Sequence, residues 1–184
     1  MLLILGLVYV RRLSDPDVQW AAIGEVIAVD EPHPTFRIFG FPRMNGLRSW
    51  VMSNGPDENT AIILSDQEKR IRLFESWQDL PEVMAEGRMA ERIDPTVPSE
   101  SGTITVQGRD LRCLRFGLLG KKARTSEEVA GPPDARSHPA ILLDLSNEGA
   151  EESLACMLFA KEGDRVEDAQ VLAFLKPFHV GPDR

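Results

Sequence analysis

The 184-residue chain predicts an α+β domain, mainly an antiparallel sheet carrying two amphipathic helices over residues 79–93 and 165–176. Three observations lead there. Apolar runs of strand length recur along the chain, bounded by Gly, Pro, Asn and Asp. One stretch, "ITVQGRDLRCLRF", reads as a hairpin. Two segments instead place apolar residues three and four apart behind capping-box residues. A sheet with amphipathic helices on it is a layered domain.

The chain opens on "MLLILGLVYVRR", an apolar run ended by Arg11 and Arg12. A bilayer-spanning helix takes about 20 apolar residues, twice what is present. A secretion signal places its positive charge before the apolar run, and here the arginines follow it. Residues 1–12 therefore stand as a separate apolar segment with three readings: a buried element, the remnant of an anchor, or a signal. In the anchor reading, Arg11 and Arg12 favour a domain facing the cytoplasm. Residues 13–184 read as a single α+β domain.

Asp15 or Ser14 before Pro16 starts a short helix over 16–24, with proline at the first helical position. "GEVIAVDEPHPTFRIFGF" reads as two strands around Asp30–Pro34, because Pro32 and Pro34 cannot continue a ladder. "RSWVMS", "TAIILS" and "KRIRLFE" follow as strands. The helix over 79–93 has Asp79 and Glu82 as its capping box and Leu80, Val83, Met84, Gly87, Ala90 and Ile93 on one face. After Pro95 and Pro98 comes the hairpin, turning near Gln107–Asp110. In its second strand Leu114, Phe116 and Leu118 share one face with Arg112, while Leu111 and Cys113 share the other with Arg115, so each face is covered at least in part. Residues 120–138 have no periodicity and read as a long polar loop. "PAILLDLS" and "SLACMLFA" are continuous apolar runs suited to the sheet centre. Asp164 and Glu167 form the second capping box, Val171, Leu172, Leu175 and Phe178 line the helix face, and Pro177 stops it.

The formal charge of −8 argues against a general nucleic-acid binder. The acid is uneven: residues 109–124 hold six Lys/Arg against Asp110 alone, which read as a solvated strand edge and loop, with a basic patch as the alternative. Cys113 and Cys156 sit in separate apolar runs with no CxxC motif, which fits two reduced buried thiols in a reducing compartment; a disulfide between neighbouring strands is the alternative.

No constellation carries visible chemistry, so the expectation leans away from an enzyme, with no catalytic, metal or cofactor residue assigned. His33 beside Asp30 and Glu31 supplies an imidazole and two carboxylates, but Pro32 and Pro34 already explain that segment as a turn. "GLLGKKART" fails the G-x-x-x-x-G-K-[ST] spacing of a phosphate loop. Trp20, Trp50 and Trp77 each adjoin an apolar element and read as core. The pairs Glu127/Glu128 and Glu151/Glu152 lie in polar loops that offer no burial to raise a carboxyl pKa.

Residues from about 76 to 180 follow the order helix, hairpin, two strands, final helix, with Val106, Gly108, Leu111, Phe174, Leu175, Phe178 and Val180 at packing positions. This layout resembles the C-terminal part of the Mog1/PsbP-like α/β sandwich. "FRIFGFPRMNGLRSW" departs from that family's N-terminal strand, with Pro42, Gly46 and Trp50 out of spacing. The resemblance implies a module that docks to other proteins. The expectation is thus a non-catalytic interaction domain with a protein partner. It is cytoplasmic, with attachment to the inner face of a membrane through residues 1–12 left open. The alternative is a small-ligand-binding domain with its pocket between the sheet and the 79–93 helix.

Overall fold

The computed structural model describes residues 12–30, 36–44, 47–53, 60–66, 94, 96–119, 137–147, 150, 152–160 and 165–180. Helix α1 (Pro16–Gly24) precedes β1 (Arg37–Met44), β2 (Leu47–Ser53) and β3 (Thr60–Asp66). Then come β4 (Glu100–Val106), β5 (Arg109–Leu119), β6 (Ser137–Asp144) and β7 (Ser153–Phe159), and helix α2 (Asp168–Leu175) closes the order. The α+β fold with a mainly antiparallel sheet is as the sequence predicts. The expected helix over 79–93, the strand at "KRIRLFE", Trp77 and the apolar residues 1–11 lie outside the described residues. So do residues 120–136 of the expected loop, whereas Ser137 and His138 open β6.

The seven strands lie in the order β1-β2-β3-β7-β6-β5-β4, every neighbouring pair antiparallel. Two meanders, β1 to β3 and β4 to β7, are joined by the single β3–β7 ladder, which pairs Thr60 with Phe159 and Asp66 with Ser153. The most apolar runs take the middle. β6 and β7 each bury five consecutive residues, which requires cover on both faces. The alternation in β5 resolves as the parity predicts. Leu111 and Cys113 join the cluster under the helices, and Leu114, Phe116 and Leu118 join the cluster on the opposite face.

One transverse row on the helix-covered face crosses the whole sheet: Gly40, Trp50, Ile63, Cys156, Leu143, Cys113 and Gly102, each the register partner of the next. It places Leu143 between the two cysteines. Two strand spacings separate them by roughly 9–10 Å, beyond the ~7 Å between Cα atoms that a disulfide tolerates. Both are free thiols, so the disulfide alternative falls.

The helices meet over this face, α1 packing on β1 and α2 on β4. Asp15 caps α1, its Oδ1 accepting from the amides of Asp17 at 3.1 Å and Val18 at 3.4 Å, and Pro16 occupies the first turn. Trp20, Phe36, Phe174 and Phe178 form a closed ring of tilted aromatic contacts with centroids 5.5–6.2 Å apart. Such pairs add about 0.5–1.5 kcal/mol each beyond their area burial. Trp20 and Trp50 are therefore core, as expected.

Three details correct the sequence reading. α2 begins at Asp168, three residues later than expected, because the capping box is Glu167 with Gln170 and not Asp164 with Glu167. Its buried face is Val171, Phe174 and Leu175, continued by Phe178; Leu172 lies about 100° round from Val171 and is 45% exposed. Finally, Val26–Val29 is not a strand of the sheet. The amides of Val26 and Ile27 turn back onto the carbonyl of Ile23, leaving Val29 to make one isolated bridge to Phe178.

Candidate functional site

Two places combine exposure with organised side chains. The first is a cleft at one end of the helix-covered face. α1 delivers its wall, residues 25–28, and the bridge of that segment to the chain after α2 holds it open: the His179 amide donates to Ala28 O at 2.8 Å and the Asp30 amide to Pro177 O at 2.9 Å. The β6–β7 connection supplies the other side, where the Leu154 amide donates to Ser146 Oγ at 2.9 Å. The cavity is about 320 Å³ and is lined by Glu25, Arg109, Asn147, Glu152, His179 and apolar residues between them. That volume falls at the low end of small-ligand sites.

Arg109 ties the cleft together. Its Nη1 donates to Asn147 Oδ1 at 2.8 Å and to Val180 O at 3.5 Å, and its Nη2 donates to Ser146 O. Arg48 Nη1 meets Glu25 Oε2 at 2.6 Å. Its register partner Ser65, fully buried, donates its hydroxyl to Glu152 Oε1. From the sequence, Glu152 is one acid of a loop pair; the fold sets it against a buried serine 87 positions earlier. Only the β3–β7 register, invisible in local pattern, brings them together.

The second place is the β1 edge. Phe39 and Phe41 are 37% and 48% exposed and touch edge to face at 5.1 Å. They alternate with buried Ile38 and Gly40, so their exposure follows from strand parity on the face away from the helices. β1 pairs regularly with β2 from Arg37 to Phe41, and its register shifts only between Phe41 and Met44.

Among the sites weighed in the sequence, Asp30 is exposed with its Oδ2 4.0 Å from Nδ1 of His179. His33 and Glu31 lie outside the described residues, as do Glu127, Glu128 and Glu151. Among the described residues no group of three or more His, Cys, Asp or Glu is placed to hold a metal ion. Neither thiol is primed as a nucleophile. Burial pushes Cys113 up and Asp168 adds to this, outweighing Arg115, whose Nη1 is 3.6 Å from the sulfur. Burial alone pushes Cys156 up to about 12. Asp94 goes the other way: burial would raise its carboxyl, but hydrogen bonds from the Thr96 hydroxyl and amide hold it below the usual value.

No family model, curated protein or solved structure matches the chain. Among the described residues, no helix is long and apolar enough to cross a membrane.

Proposed function

We propose that the chain is a non-catalytic docking domain that receives an extended segment of a protein partner along β1. The observation that carries this reading is the exposed Phe39–Phe41 pair on β1, a terminal strand among the described residues. A sheet edge presents backbone donors and acceptors that template another strand, and proteins commonly blunt it with proline, a bulge or charge. Here Pro42 and the register shift fall just beyond Phe41. The regular stretch Arg37–Phe41 keeps its edge and its aromatic side chains together. Strand addition draws affinity from main-chain hydrogen bonds and selectivity from alternate side chains, and aromatic residues dominate interface anchors. The docking role implied by the sandwich-like layout agrees with this, and two free buried thiols suit a cytoplasmic setting.

The test is peptide selection against the full chain, with hydrogen exchange on the resulting complexes. Selected peptides should slow exchange at amides 37–41 and lose at least about tenfold in affinity against Phe39→Ser/Phe41→Ser. Protection confined to another part of the sheet, or equal binding by the double variant, would remove this reading. Membrane attachment through residues 1–12 belongs to the same proposal. It is checked by comparing the membrane and soluble pools of the full chain with those of a chain lacking these residues.

A further inference from the structure

The cleft beside His179 stands apart from the β1 edge and has a chemistry of its own. Its base is apolar: Ile27, Leu145, Leu154 and Val180 are all buried. Its charged groups are not equivalent. The Arg109 guanidinium commits three of its five N–H donors to Asn147, Ser146 and Val180, so its first role is to hold the walls together. Glu25 is balanced by Arg48. Glu152 differs from both. Ser65 fixes its Oε1, while Oε2 takes no hydrogen bond among the described residues. The carboxylate is thus oriented by a buried hydroxyl and keeps a free acceptor. The C-terminal end of α1, whose last turn has no basic residue, adds partial negative charge on the same side.

We infer that this cleft binds a small organic cation, a protonated primary amine on a short apolar body. The ammonium group donates to Glu152, and the apolar body lies against Leu145, Leu154 and Val180. A carboxylate held by a serine costs little to organise when the ligand arrives, because its rotamer is already chosen. Apolar walls of this extent suit a chain of a few methylenes, each stabilising the bound state by its removal from water.

The full chain is titrated with n-butylammonium, n-butanol and butyrate while its amide resonances are followed. Saturable shifts at Ala150, His179 and Val180 are expected with n-butylammonium, at an affinity about tenfold above that of n-butanol, as one ammonium–carboxylate contact provides. Glu152→Gln keeps an acceptor for Ser65 and should bring n-butylammonium down to the level of n-butanol. Butyrate binding as tightly as n-butylammonium would overturn the inference. So would the absence of saturable shifts, or binding that Glu152→Gln leaves unchanged. If Glu152→Gln fails to fold, Ala150→Leu, which narrows the cleft from its rim, must abolish the shifts; their persistence would equally overturn it.

Discussion

The two edges of the sheet end the same transverse row in glycine, Gly40 on β1 and Gly102 on β4, yet they are finished in opposite ways. On the β4 side, the β4–β5 hairpin is tied by hydrogen bonds at β5 and at its turn. The Asp94 amide donates to Gly117 O at 2.9 Å, and Gln107 both donates to Phe178 O at 2.8 Å and accepts from the Val180 amide at 3.0 Å. Its exposed residues are polar, from Glu100 to Thr105. The β1 side has packing in place of ties. A Cβ at Gly40 would fall well inside contact distance of Gln19 Oε1 and 2.7 Å from its Cδ, whereas at Gly102 the nearest atom is Cys113 Sγ at 3.5 Å. The solvent side of β1 shows two phenylalanines. Among the described residues the β4–β5 hairpin is tied to the rest of the chain and shows a polar surface, whereas β1 shows two exposed phenylalanines, and this contrast supports docking at β1.

Phe178 connects the two sides, since it receives Gln107 from the β4–β5 turn and stacks on Trp20 of α1, whose neighbour Gln19 abuts Gly40. Phe178→Ala should therefore be the most damaging change. Removing the buried ring should cost about 3–5 kcal/mol in denaturant unfolding, and a loss below about 1 kcal/mol would mean that the ring does not hold α1 to the C-terminal segment, since the carbonyl that accepts from Gln107 stays in the variant. Gly40→Ala comes next, at about 1–3 kcal/mol, because Gln19 is buried and its Nε2 already donates to Arg12 O. Gly102→Ala should stay within about 0.5 kcal/mol of the parent; equal costs at both glycines would erase the contrast.

Gln107 offers a finer probe. It holds φ at +52° beside Gly108 at +80°, a left-handed pair that suits a two-residue hairpin turn but disfavours a side chain with a Cβ. Gln107→Gly relieves that backbone and removes both ties to the C-terminal segment. Net destabilisation of about 1 kcal/mol is expected; a gain in stability would show the ties to be incidental. The smallest effect is one of pH. The Asp94 carboxyl titrates lower in the folded chain than its ordinary value of 3.8. Its contribution is present above that value and drains away as pH falls through and below it. The stability gap between the parent and Asp94→Asn should narrow below about pH 4, and a gap that stays constant into acid would assign the effect to shape, not charge.

Much of the architecture was legible locally. Proline at position 16, the Gln107–Gly108 turn, the alternation in β5 and the unbroken apolar runs of β6 and β7 each specify a local backbone, and each element stands where its pattern put it. What the pattern missed is tertiary. Val26–Val29 is rich in β-branched residues, but the C-terminal hydrogen bonds of α1 claimed its first amides. Leu172 is as apolar as Leu175, and only helical angle separates the exposed residue from the buried one. The pocket that the sequence suggests, against residues 79–93, lies outside the described residues, and the cleft at Glu152 depends on long-range register. Phe39 and Phe41 were legible as strand residues but not as exposed ones, since nothing local marks β1 as the last strand.

The single ladder between the meanders also divides assembly of the sheet into local steps and one distant step. The β4–β5 turn brings its strands together across two residues, whereas Ser65 and Glu152 meet across 87. Closing the larger loop costs roughly 3 kcal/mol more in chain entropy, which slows the step that depends on it. While it is pending, each finished meander exposes one further bare strand, β3 or β7. A second copy of the chain offers the same complementary strand without the loop penalty. Refolding at high protein concentration is therefore the condition under which exchanged dimers, each sheet shared by two chains, should accumulate.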